Sequence, residues 1–186
     1  VHTIFPRRTS RALSDVGTSR PYRNKGDGTY EDTTRSAGLW LPISVMGANF
    51  GDLDNDGFLD MYLGTGTPPF QALVPNRAFH NLRGRRFEDV TVPANLGSLA
   101  KGHAVGFGDL DDDGDQDIYE VMGGAFFGDV FPNALFRNPG NGNDWITLRL
   151  EGTRANRSAI GARIEVKVSG RSGTRSRRGT RTRDAG

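Results

Sequence analysis

The sequence predicts an all-β fold of short antiparallel strands, and three observations carry that prediction. The chain repeats itself at an offset of 57 residues. Its 26 glycines and nine prolines punctuate short alternating segments, the pattern of strands and turns rather than of helices. Two acidic nonapeptides, Asp52 to Asp60 (DLDNDGFLD) and Asp109 to Asp117 (DLDDDGDQD), each sit between segments that suit strands.

The repeat fixes the order of elements. Tyr22-Arg23-Asn24 recurs as Phe79-His80-Asn81 and again as Phe136-Arg137-Asn138, and Pro75-Asn76 returns as Pro132-Asn133. Tyr30-Glu31-Asp32-Thr33-Thr34 recurs as Phe87-Glu88-Asp89-Val90-Thr91, Leu39 as Leu96, and Phe50-Gly51-Asp52 as Phe107-Gly108-Asp109. Phe79, Phe87 and Phe136 read as ordinary core residues. One unit reads as a strand over 78–82, a polar turn over 83–86, a strand over 86–91 that stops before Pro93, a strand over 104–107, the acidic loop, and a strand over 118–122. In the first copy the turn over 24–29 holds Gly26-Asp27-Gly28, a strong hairpin signal. Four short strands in 57 residues make one propeller-type blade or a similar antiparallel unit. The chain divides into an unassigned stretch 1–17, a repeat over 18–74, a second over 75–131, the start of a third over 132–144, a partial β segment over 145–168 and a tail over 169–186.

The nonapeptides read as calcium loops. Each copy puts carboxylates at positions 1, 3, 5 and 9 and glycine at 6, Gly57 or Gly114, where the chain must turn sharply. A calcium ion takes about six to eight oxygens. Asp52, Asp54, Asp56 and Asp60 with the Phe58 carbonyl are the expected ligands of one ion, and Asp109, Asp111, Asp113 and Asp117 with the Asp115 carbonyl those of a second. Asn55 and Asp112, at position 4, are expected to point away. Without an ion the six aspartates of the second loop repel one another, so binding should couple to folding. An EF-hand is the rival reading, since Asp109 to Glu120 satisfies the twelve-residue pattern. The first copy has Leu63 at position 12, and the flanks suit strands, so Glu120 reads instead as a solvent-facing strand residue.

Composition bounds the function. The formal charge of +2 hides an asymmetry: ten of the 22 acidic residues lie in the nonapeptides, and six arginines (Arg171, Arg175, Arg177, Arg178, Arg181, Arg183) lie in the tail. The tail has no interleaved aromatics and reads as solvated rather than as a specific nucleic-acid surface. No stretch is apolar enough to span a membrane, and the first residues lack the apolar core of a secretory signal. The chain has no cysteine, which excludes a disulfide framework. Neither G-x-S-x-G, H-E-x-x-H nor a phosphate-binding glycine loop occurs, and the paired carboxylates are accounted for by a cation. His80 occupies a position filled by Arg23 and Arg137 and reads as a variable surface site; His103 reads as structural or superficial. No enzymatic activity is expected.

FGDLDNDGFLDMYLGTG and FGDLDDDGDQDIYEVMGG, each preceded by an aromatic-x-Asn strand and a (Tyr/Phe)-Glu-Asp-x-Thr segment, resemble FG-GAP or VCBS repeats, the blade units of propellers related to the integrin alpha head. The segments Asn143 to Gly152 and Asn156 to Ile164 resemble the opening of an ASPIC/UnbV domain, an order similar to that of proteins of the cartilage acidic protein type. The resemblance implies calcium-bearing propeller blades followed by a partial β domain. It also implies an exported module of adhesion, matrix or extracellular assembly, with a protein or glycan ligand. Unpaired sheet edges suggest self-association, and a self-assembling filament is the second reading. A lectin-like or accessory domain of a larger enzyme is the third.

Overall fold

The computed structural model describes residues 3–4, 19–67, 74–124, 126–143, 145–146, 148–154, 156–160, 162, 164–168 and 175–178. Asp144, Thr147, Gly161 and Arg163 of the ASPIC/UnbV-like stretch, most of 1–17, and Arg171, Arg181 and Arg183 of the tail lie outside them. The described residues form strands and turns with no helix. The strands are β1 (Thr3–Ile4), β2 (Tyr22–Asn24), β3 (Tyr30–Asp32), β4 (Val45–Gly51), β5 (Asp60–Thr65), β6 (Arg77–Asn81), β7 (Phe87–Asp89), β8 (Gly102–Gly108), β9 (Asp117–Met122), β10 (Ala134–Phe136), β11 (Glu165–Val168) and β12 (Arg175–Arg178). All pairings are antiparallel, in sheets ordered β1-β2-β3, β4-β5-β6-β7, β10-β9-β8 and β11-β12.

Local chemistry explains why the repeat anchors recur. Between β2 and β3 the turn closes on side chains: Gly26 N donates to Asn24 Oδ1 at 2.8 Å and Thr29 N to Asp27 Oδ1 at 2.9 Å. The Glu-Asp-x-Thr segment ends its strand the same way. Thr34 N donates to Asp32 Oδ1 at 2.9 Å, and Thr91 N to Asp89 Oδ1 at 3.0 Å. Each turn then closes on a leucine, with Leu39 N bonded to Thr34 O and Leu96 N to Thr91 O, both at 2.9 Å. That closure delivers Leu39 to the core.

Two apolar clusters hold the sheets together. Ala37, Leu39, Ile43, Met61, Leu63 and Phe79 form one, with Phe87 packed against it. Tyr62, Ala78 and Ile118 form the other, joined by Leu96, Val105, Phe107 and Phe136. Strand β5 contributes to both because every one of its residues is buried, Met61 and Leu63 toward the first cluster and Tyr62 toward the second. Strand β8 lies against β4 and β5. A Cβ on Gly64 would sit 2.8 Å from Gly102 O, so glycine permits this close backbone approach.

Three readings need correction. The four-stranded sheet runs from β4 to β7 and so straddles the repeat boundary at 74/75: β4 and β5 come from the first copy and β6 and β7 from the second, just as β8 and β9 of the second copy pair with β10 of the third. A repeat in sequence is therefore not one sheet in space. Glu120 is fully buried rather than solvent-facing. Sequence alternation groups Tyr119 with Val121 as the apolar pair, yet both are exposed while Ile118 and Glu120 turn inward. Third, the composition of the tail predicts a solvated segment, but Arg175–Arg178 pair with Glu165–Val168 as β12.

Candidate metal centres

Each acidic loop connects two paired strands, β4 to β5 and β8 to β9, and the ladder closes at its base with Gly51 opposite Asp60 and Gly108 opposite Asp117. Within that frame the carboxylates of positions 1, 3 and 5 converge. One ligand oxygen from each of Asp52, Asp54 and Asp56 lies within 4.8 Å of the others, and the same holds for Asp109, Asp111 and Asp113. Backbone amides curl the loops around them. Asp56 N donates to Asp52 Oδ1 at 3.0 Å, Gly57 N to Asp52 Oδ2 at 3.1 Å and Phe58 N to Asp56 Oδ1 at 2.8 Å. In the second loop Asp115 N donates to Asp113 Oδ1 at 3.0 Å. Gly57 and Gly114 take the turn at φ of 86° and 91°, in the left-handed region where a Cβ is strained.

Position 9 also has a structural job. Asp60 and Asp117 are buried, and both oxygens of each accept backbone N–H groups: Leu53 N and Asn81 N at 2.9 and 2.8 Å for Asp60, Leu110 N and Asn138 N at 3.0 and 2.9 Å for Asp117. These aspartates tie the loop entrance to the first strand of the following repeat. Burial pushes the Asp60 carboxyl above its ordinary range, against the backbone hydrogen bonds that pull it down. Asp60 stays within reach of Asp54 and of His80, whereas Asp117 lies outside the Asp109, Asp111 and Asp113 group.

The position-4 residues are left-handed, with φ of 55° at Asn55 and 60° at Asp112. Asn55 turns away from its own ion position, toward the other loop. Its Nδ2 donates to Asp115 Oδ1 at 2.6 Å. The Asp115 carboxyl is raised by burial first and then by Asp113, Asp109, Asp117 and Asp111 around it. The Trp145 ring stacks so close to Gly114 that a Cβ there would lie 2.0 Å from it. The segment at Trp145 thus packs onto the second loop.

His80 is not the variable surface site its repeat position suggests. Its Nδ1 lies 3.1 Å from Asp60 Oδ1 and 3.7 Å from Asp54 Oδ2. Arg137, at the equivalent place, pairs through Nε with Asp111 Oδ2. The basic residue of aromatic-x-Asn therefore meets the position-3 aspartate of the preceding loop both times. The signal was present in the sequence, because Arg23, His80 and Arg137 are all basic. The neighbouring asparagine is equally positional, with Asn81 Nδ2 donating to Leu59 O at 2.8 Å and Asn138 Nδ2 to Gln116 O at 3.2 Å. His103 is exposed, as expected.

The oxygen donors suit a hard cation, since three carboxylates converge where one backbone turn can also offer carbonyls. The strands on both sides of each loop exclude the EF-hand, whose loop joins two helices. Among the described residues no helix is long and apolar enough to cross a membrane. No curated protein matches the chain. The FG-GAP-like repeat family model matches residues 12–63, a stretch that takes in the whole of the first acidic loop and most of the first sequence copy.

Proposed function

We propose that this chain is an exported, non-enzymatic calcium-binding β-repeat module acting in adhesion, matrix or extracellular assembly. The observation that carries the metal reading is the convergence of the position 1, 3 and 5 carboxylates in two loops at the same repeat register. Asp52, Asp54, Asp56 and Asp60 with the Phe58 carbonyl hold one Ca2+, and Asp109, Asp111, Asp113 and Asp117 with the Asp115 carbonyl hold the other. A bound ion supplies charge neutralisation that fixes the loop between its strands. Arg137 offsets part of that charge at Asp111, and His80 turns its Nδ1 toward the Asp54 and Asp60 carboxylates. Isothermal titration with Ca2+ tests the reading: two sites per chain are expected, one in Asp54→Ala, and no binding rejects it.

The two packed sheets are read as consecutive propeller-type blades, with the segment from Trp145 onward opening an ASPIC/UnbV-like domain. Shifting Tyr62 and Ala78 by the 57-residue period gives Tyr119 and Leu135. The first pair is fully buried between the sheets, whereas the second pair is 42% and 56% exposed. That exposed face matches one that already packs against a sheet, and it favours the second reading, assembly of further sheets onto β8-β9-β10, within one chain or between copies. Analytical ultracentrifugation of the segment with Tyr119→Lys distinguishes them: loss of self-association supports packing between copies.

A further inference from the structure

The loops touch through side chains that bind no ion in the proposed reading. Asn55 sits between ligand positions 3 and 5 of the first loop, and its Nδ2 reaches Asp115 Oδ1 at 2.6 Å and Gly114 O at 3.4 Å, around the carbonyl position of the second. In return Gln116, next along the second loop, accepts on Oε1 the backbone N–H of Asp52 at 2.7 Å. Asp52 is position 1 of the first loop. A third strap comes from the chain after β10. Asn138 Nδ2 donates to Leu53 O at 2.7 Å as well as to Gln116 O at 3.2 Å, and so bridges both loops. Asn143 Nδ2 donates to Asp54 O at 2.6 Å.

These bonds hold the backbone of positions 1 and 2 of the first loop, and the side chain of position 4, to groups on the second loop or bridging to it, while Asn143 of the chain after β10 holds position 3. An ion that orders the second loop also fixes the acceptor for Asn55 and the carboxamide that receives Asp52 N–H. The conformational entropy lost by the shared groups is then spent once for two ions, and the later ion meets a loop already ordered. Coulomb repulsion between two filled sites opposes this, but an ion at either site would lie among at least three carboxylates that offset its charge locally. Water and salt screen the remainder.

We infer that the two acidic loops bind Ca2+ with positive cooperativity, and that Asn55 and Gln116 are the positioning residues that couple them. This rests on the calcium reading above. Coupling between ligand sites typically changes affinity by about 5- to 150-fold, and a factor of about five or more is expected here.

Calorimetric titration of the full chain with Ca2+ tests it on four proteins: the unaltered chain, Asn55→Ala with Gln116→Ala, Asp111→Ala with Asp113→Ala, and all four changes together. Circular dichroism checks that each remains β-rich. The unaltered chain should bind two ions with a Hill coefficient above 1, and the first pair of changes should return it to about 1 with both sites still filling. Disabling the second loop should weaken the first about fivefold or more, but leave it unchanged once Asn55 and Gln116 are already alanine. Two independent sites in the unaltered, folded chain overturn the coupling and leave the calcium reading standing. No Ca2+ binding to that chain overturns both. If the second-loop variant does not fold, the Hill coefficients of the first two proteins decide the matter alone.

Discussion

Tyr62 Oη lies 3.0 Å from Glu120 Oε2 across the gap between two sheets, and also 3.0 Å from the carbonyl oxygen of Leu96. A phenol has one proton, so Tyr62 either divides it between the two acceptors or gives it to the Leu96 carbonyl and accepts from a protonated Glu120; only the second arrangement makes two full hydrogen bonds. Burial favours the same state, raising the Glu120 carboxyl from 4.5 to about 7. Because the folded-state value is the higher, folding takes up a proton between those two values. The stabilisation is complete below pH 4.5 and is lost as pH rises through about 7.

Urea unfolding in saturating Ca2+ at pH 5 and pH 8.5 should therefore show a fall on the order of 3 kcal/mol attributable to Glu120, at about 1.4 kcal/mol per pH unit. Glu120→Gln keeps the shape and removes the titration, so the difference between the two proteins isolates this group from the loop carboxylates. An equal slope in both would refute the neutral Glu120.

Ca2+ at about 100 times its dissociation constant should add roughly 2.7 kcal/mol per site if the ion binds only the folded loops. Thermal melts with and without a chelator measure this. An unchanged melting temperature after verified removal of the metal, or equal stabilisation by sodium, would refute it.

Gly57→Ala and Gly114→Ala place a Cβ at nearly the same positive φ, and each should lose about 1 to 2 kcal/mol from the backbone. Only the second also drives a Cβ toward the Trp145 ring. Gly114→Ala should be the more destabilising in denaturant titration and should change Trp fluorescence, whereas equal losses would mean that Trp145 does not rest on the loop.

Lys101 and Asp129 form a buried ion pair, 4% and 2% exposed, at the end of β8 that leads into the inter-sheet contact. Removing one partner leaves a charge in a low-dielectric site, so Asp129→Ala should cost about 3 to 5 kcal/mol. Lys101→Met with Asp129→Leu should recover most of that loss. A double variant as unstable as the single one would point to packing rather than to charge.

By itself the sequence determined the repeat, the strand-and-turn character and the acidic loops, because each is a local matter: a glycine that must turn, an aspartate that bonds two residues ahead, carboxylates spaced to curl around one point. Asp52, Asp54 and Asp56 meet as their spacing requires, and so do Asp109, Asp111 and Asp113. The tertiary structure alone decided which face of β9 turns inward, and Glu120 went against its apolar neighbours because a whole sheet lies on that side and Tyr62 brings it a hydrogen-bond partner. It also put His80 and Arg137 beside the loops, about 20 residues or more away in sequence, since the next strand returns past the loop before it. Strand alternation constrains a side chain to one of two faces, but what covers each face is set by segments far along the chain. That is why the ligand spacing was legible in one dimension while the contacts between the two loops, Asn55 to Asp115 and Gln116 to Asp52, required three.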